Sequence, residues 1–362
     1  MKEHLKLNFI GITLWWILLL PFDYSLFDRI FKTIQKPFTG LLKTLDEALI
    51  FETDTYGTYI LISLSILFGA LFSPVISQAC AKLKWNPTQV LKTSLAAILF
   101  FFLFKYGWDK ITKSQFYLPE PNTAYTPFGK LSKDIAYWSL VGSSYSYTVT
   151  LGIIEVFTAL LLLFKRTQFL ASLLAIAVFT QVVLVNFSFD ISVKLLSCSL
   201  LLFSIVYSSC FAENWKSIFG FQTNPIFPVH SKGHLMLRFC FAFLVIAECI
   251  FPTISSRNFN DDRFPRLAHH GAYRVYGSSQ IKHLFVHRQH YLILQSHQDE
   301  FKDYNMEIQS HDRYVSNDGT ITCNWQENLV NISGDTFRIT KIPYRKLPLL
   351  QESFHTFSDE FH

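Results

Sequence analysis

The run Gly152-Ile153-Ile154-Glu155-Val156-Phe157-Thr158-Ala159-Leu160-Leu161-Leu162-Leu163-Phe164, closed by Lys165-Arg166, places a carboxylate inside an apolar stretch. With the residues before it, the stretch is long enough to cross a bilayer. An acid within hydrocarbon costs about 2.5 kcal/mol or more, so Glu155 is expected to face a bundle interior and to be balanced by a cation. Comparable runs recur along the 362 residues. Half of the residues are hydrophobic and only 16% are charged, too few for an ordinary soluble protein. The fold class expected is therefore an α-helical membrane bundle of about seven transmembrane helices. A small C-terminal antiparallel β-domain is expected to follow it.

The expected spans are Leu7–Phe22, Tyr56–Ile76, Thr93–Trp108, Tyr147–Phe164, Phe169–Asn186, Ile191–Phe211 and Leu235–Phe251. The first follows Lys2 and Lys6 as a signal peptide would, but Pro21-Phe22-Asp23-Tyr24 stands where a small-residue cleavage site belongs, so it reads as a retained span. Lys82, Lys84, Lys165, Arg166, Lys216 and Lys232 fall on the same side as Lys2 and Lys6. By the positive-inside rule that side is the cytoplasm. The localisation implied is a multi-pass protein of a bacterial inner membrane, with the N-terminus cytoplasmic and the C-terminal domain periplasmic. Between the first two spans, Phe27, Ile30, Phe31 and Ile34, then Leu41, Leu42, Leu45 and Leu49, follow helical spacing. That segment reads either as a helix lying in the membrane surface or as an amphipathic helix packed on protein.

The segment Gln115–Ala136 holds Pro119, Pro121 and Pro127 and cannot be one regular helix. After Pro252 the composition changes. Ala272–Tyr276, Ile281–Val286, His290–Leu294, Thr320–Trp325, Leu329–Ile332 and Thr336–Thr340 alternate as strands do. Asn317-Asp318-Gly319 and Ser333-Gly334-Asp335 supply turns. The division expected is a helical domain over 1–254, with its core at 93–211, and an extracytoplasmic β-domain over 255–362.

The net charge of +5 comes without a Lys/Arg-rich block, which excludes a nucleic-acid partner. The partners expected are the lipid bilayer and other envelope membrane proteins. The six cysteines form no C-x-x-C pair, and four lie inside apolar runs, so neither a disulfide framework nor a dithiol centre is expected. The histidines His269, His270, His283, His287, His290 and His297 cluster in the β-domain, and two imidazoles with Asp261 or Asp262 could take a transition metal. Their spacings match no known motif, so no metal is assigned.

The ionisable residues of the apolar region are few. Lys110 ends the third span, Glu155 lies in the fourth, and Asp190 and Lys194 stand four residues apart at the start of the sixth. Two acids and two bases can form a neutral internal network. One reading is an ion-pair clamp that fixes helix register. The other is a polar site for a quinone head group, an anion or protons, with Tyr106 beside it.

Gly107-Trp108-Asp109-Lys110 resembles the G-x-x-K segment of the DoxX-like integral membrane proteins, and Gly152-Ile153-Ile154-Glu155 resembles their G-x-x-E segment. Tyr106, Gln115-Phe116, Gly142, Tyr145, Phe164-Lys165-Arg166-Thr167, Asn186, Asp190 and Val193-Lys194-Leu195 extend the ordered series. The likeness is to a subgroup with extra spans and a C-terminal β-domain. It implies a four-helix core and an association with redox chemistry, since the family takes its name from a subunit of a thiosulfate:quinone oxidoreductase. The functional expectation is a redox-associated membrane protein that binds a quinone-like or other apolar ligand near Lys110, Glu155, Asp190, Lys194 and Tyr106. The alternative is a non-enzymatic scaffold or accessory subunit of a cell-envelope complex.

Overall fold

The computed structural model describes residues 2–20, 33, 36, 53–218, 220 and 232–350. The surface helix expected over Phe27–Leu49 lies outside them, apart from Thr33 and Lys36. The chain divides into two compact units: residues 1–112 with 149–259, and 113–148 with 260–362.

The first unit is helical. It holds α1 (Glu3–Leu19), α2 (Tyr56–Lys82) and α3 (Pro87–Ile111). The short helices α4 (Pro121–Tyr125) and α5 (Lys133–Ser143) intervene in sequence and belong to the second unit. The helical unit continues with α6 (Tyr145–Leu161, from Val149 onward), α7 (Gln168–Ser188), α8 (Lys194–Ser209), α9 (Ala212–Ile218) and α10 (Lys232–Ser256). α3 is the central helix: 67% of its most apolar window is buried, against 28% or less for the other long apolar helices. It packs against α1, α8 and α10. Its start is fixed locally, with Pro87 at the first helical position and the Asn86 side chain accepting the Thr88 N–H at 2.9 Å. α8 is capped from afar. The Asp54 carboxylate accepts the N–H groups of Lys194 and Leu195 at 2.9 and 3.0 Å, where the helix dipole favours a negative charge.

Among the described residues, four helices are long and apolar enough to cross a membrane: α2, α3, α7 and α10 from Leu235 onward. The number rises to six if each of two bent helix pairs counts as one span. Of the other expected spans, the first is the 17-residue α1, the run at 147–164 is helical as far as Leu161, and the run at 191–211 holds α8, which is followed by a 78° bend into α9.

In the second unit the expected small β-domain is a closed barrel. β1 (Gly271–Tyr276), β2 (Ile281–Val286), β3 (Tyr291–Ser296), β4 (Phe301–Ser310), β5 (Arg313–Ser316), β6 (Thr322–Gln326), β7 (Leu329–Ile332) and β8 (Asp335–Ile342) each pair antiparallel with the next. β8 returns to β1 with Ala272 opposite Ile342 and Tyr276 opposite Arg338. The two-residue loop between β7 and β8 is Ser333-Gly334, with φ of 52° and 104°, the positive values a tight hairpin turn demands.

Alternation along the strands divides the apolar residues between two clusters. Leu284 and Val286 of β2 join Tyr273, Met306, Tyr314, Trp325 and Val330 in the barrel interior. Phe285 points the other way, into a cluster with Ala272, Ile293 and Tyr344 against which Leu118, Ala124 and Tyr125 pack. The proline-rich segment is thus seated on the barrel wall, and Lys130 Nζ donates to the carbonyls of Gln298 and Asp299.

Candidate functional site

Two charged centres and one cavity stand out. The first centre is in the helical unit. A Cβ on Gly107 of α3 would lie 2.8 Å from the Gly152 carbonyl oxygen and 2.9 Å from the Val156 nitrogen. Only glycine allows α3 and α6 to approach so closely. One turn beyond each glycine stand Lys110 and Glu155, and Lys110 Nζ donates to Glu155 Oε2 at 2.8 Å. Both side chains are buried. Tyr106 lies beside them, its ring centre 5.9 Å from the same ammonium. Trp108 Nε1 donates to Thr253 Oγ1 of α10 at 3.0 Å and ties a third helix to this level.

Lys110, Glu155 and Tyr106 are therefore brought together as the sequence suggests. Asp190 and Lys194 form their own pair at 2.8 Å, and the Asp190 side chain is 81% exposed. Asp190 has a left-handed φ of 54° two residues past the end of α7, which turns its carboxylate outward. Glu248 of α10 is buried.

The second centre is in the barrel unit and no motif announced it. Glu120, held between two prolines, accepts from His270 Nε2 at 3.0 Å, from the Arg288 backbone N–H at 3.2 Å, and from the Arg288 side chain. Arg288 also donates to Asp261 at 2.5 Å, and Arg266 reaches the same carboxylate at 2.6 Å. The Arg288 guanidinium lies 3.7 Å from the Tyr117 ring centre. Beside this set, Lys113, fully buried, pairs with Asp262 at 3.3 Å and donates to the Gly142 carbonyl at 2.7 Å. Burial on its own would raise the Glu120 carboxyl. The bonds from His270 and Arg288 outweigh it and pull the group down to about 2. For Asp262 burial prevails and the carboxyl is raised, despite the Leu118 N–H and Lys113. Three carboxylates meet two arginines, a lysine and a histidine here, and the cluster is a clasp that pins residues 113–120 to the barrel.

Asp261 and Asp262 are thus committed to arginine and lysine, and His283 bonds Gln295 at 2.8 Å. The metal set considered from sequence is not assembled. Among the described residues, His269, His311 and Asp312 place three ligand atoms within 4.8 Å of one another. Both imidazoles bond the same Asp312 oxygen, at 3.1 and 2.7 Å, and His269 stacks on Trp325. These three residues could hold a cation of the kind that takes imidazole and carboxylate. All six cysteines are free thiols.

The cavity, of about 590 Å³, lies among α1, α3, α10 and the stretch just past α6, and is lined by Leu14, Ile17, Phe100, Leu163, Phe241 and Arg238. Arg238 is buried, and its Nη2 donates to Thr93 Oγ1 at 3.2 Å. It sits within the apolar run read as the seventh span, a lone cation that no pattern singles out.

An uncharacterised protein of Bacillus subtilis (strain 168), YwoB, is 34% identical over 110 residues, which is 30% of this chain and 68% of that protein. The chain belongs to the YwoB family. No protein-family model and no solved structure matches the chain. Kinship with YwoB identifies a lineage and brings no activity with it, so the chemistry rests on the cavity and the two charged centres.

Proposed function

We propose that the chain is an integral membrane protein whose helical unit holds an apolar ligand drawn from the bilayer. The supporting observation is the cavity of about 590 Å³, within the range of small-molecule sites and lined almost wholly by aliphatic and aromatic side chains. Leu14 and Leu237, two of its lining residues, are exposed, so a ligand has access from the helix surface. The quinone-like ligand expected from the sequence has more room here than at Lys110 and Glu155, whose charges already satisfy one another. The redox association, the DoxX-like kinship and the placement in a bacterial inner membrane belong to the same proposal. So do a cytoplasmic N-terminus and a periplasmic barrel.

The test is to purify the chain in mild detergent and identify what accompanies it by mass spectrometry of the organic extract. Ala97→Phe, which fills the cavity wall, should remove the bound species while leaving the helical content intact. An unaltered extract from that variant would sink the reading.

A second reading is a non-enzymatic scaffold or accessory subunit of an envelope complex. It is favoured by the closed Lys110–Glu155 pair, which fixes the register of two helices and leaves no free charge for chemistry. Recovery of the chain without partners from native membranes, in every detergent tried, would count against it.

A further inference from the structure

We infer that the cavity takes an anionic membrane lipid, with its phosphate bound by Arg238. This deepens the ligand-binding proposal above and rests on it.

Arg238 is 6% exposed, so its charge has been taken out of water. Its guanidinium makes one bond, from Nη2 to Thr93 Oγ1. Nε and Nη1 have no hydrogen-bond partner among the described residues. Together they carry three N–H donors. A buried cation left in this state is costly, since the penalty for desolvation is met only by a paired anion and filled donors. None of the ion pairs among the described residues includes Arg238.

No carboxylate among the described residues pairs with Arg238, and the nearby hydroxyls of the lining are engaged. Thr93 gives its own hydroxyl hydrogen to the Gln89 carbonyl at 2.9 Å, and Ser94 bonds Thr13 at 2.7 Å and the Leu91 carbonyl at 3.2 Å. Apart from these three residues the lining is aliphatic or aromatic. A second cation is close by: Lys92, one residue before Thr93, lies with its ammonium 4.0 Å from the Phe211 ring centre. Tyr207, whose hydroxyl is buried and also lacks a partner among the described residues, adds a further O–H. A space with cationic donors at one wall and hydrocarbon elsewhere matches an amphiphile with an anionic head and acyl chains. The planar fork of an arginine suits the oxygens of a phosphate.

The experiment uses the full chain in detergent and native mass spectrometry with two probes of equal acyl chains, dioleoyl phosphatidylglycerol and dioleoyl phosphatidylcholine. The expected result is at least tenfold preferential retention of phosphatidylglycerol. Arg238→Gln should abolish the preference, and Arg238→Lys should keep part of it. In the absence of anionic lipid, Arg238→Gln should melt no lower than the parent, because it removes an unpaired buried charge; an arginine with a purely structural role would give a lower melting temperature. Equal retention of the two lipids by the parent overturns the anionic inference while cavity binding stands. Retention of both by Ala97→Phe overturns cavity binding itself. A melting temperature raised by inorganic phosphate alone, with no lipid preference, assigns the charge to a soluble anion and overturns the lipid.

Discussion

Lys110 and Glu155 stand 2.8 Å apart because each follows, one helical turn later, a glycine through which two backbones touch. The G-x-x-K and G-x-x-E segments thus have a joint physical meaning: the small residue sets the distance between helices, and the long residue uses it.

Gly152→Ala tests that relationship. The added methyl would lie 2.5 Å from the Gly107 carbonyl oxygen, against backbone that has little freedom to yield. Forcing it in should cost about 1–3 kcal/mol, as overpacking does elsewhere. Thermal melting in detergent is the measurement, and an unchanged midpoint would show that α3 and α6 separate freely.

Glu155→Gln removes one partner of a buried pair and leaves Lys110 without its countercharge. The expected loss is about 3–5 kcal/mol. Replacing both residues, as Lys110→Met with Glu155→Gln, should recover a large part of it. The two single variants and the double variant form a cycle whose coupling energy measures the pair directly. Additive losses would mean the two charges do not depend on one another.

The clasp in the barrel unit should make acid stability depend on Glu120. Above its ordinary 4.5 the carboxylate is charged in the folded and unfolded chain alike, and its full stabilisation is present. As pH falls from 4.5 towards about 2 the unfolded chain takes up the proton first, and the stabilisation drains away across that window. The amount is on the order of 3 kcal/mol. Hydrogen exchange in β1 to β3, followed from pH 5 to 2, should show this loss in the parent and a flat profile in Glu120→Gln.

Phe285→Ala should loosen the segment carried on the barrel wall. Phe285 is fully buried, with Tyr125 of α4 5.7 Å away between ring centres. Deleting a buried aromatic ring costs about 3–5 kcal/mol. Faster exchange is expected over residues 121–125 than over β5 to β7. A uniform change across the barrel would place the ring's support elsewhere.

Six of the eight strands were legible from their short β-branched and aromatic runs bounded by turn residues, even though β1 to β3 bury residues on both faces. β4 escaped because Tyr304, Met306 and Ile308 alternate over only five of its ten residues, Lys302 takes the next position on that face, and only Met306 is buried. β5 escaped because four residues carry too little periodicity. Local turn chemistry was readable in Ser333-Gly334. Closure of the barrel was not, since the pairing of β1 with β8 joins residues some seventy positions apart. The same holds for the sites. Lys110 and Glu155 drew notice as charges in apolar runs with glycines at fixed spacing. Glu120 and Arg288, 168 positions apart, meet only through the fold. Arg238 resembles any cation near a helix end until the emptiness around its guanidinium is seen.

Because the first and last strands bond to each other, every backbone donor and acceptor along the seam between them is already taken. Another polypeptide cannot join this sheet by extending its ladder, as it can in proteins with a free margin. Whatever grips this unit must hold it through loops and side chains, which confines the search for a binding face to the rims and the outward-pointing residues.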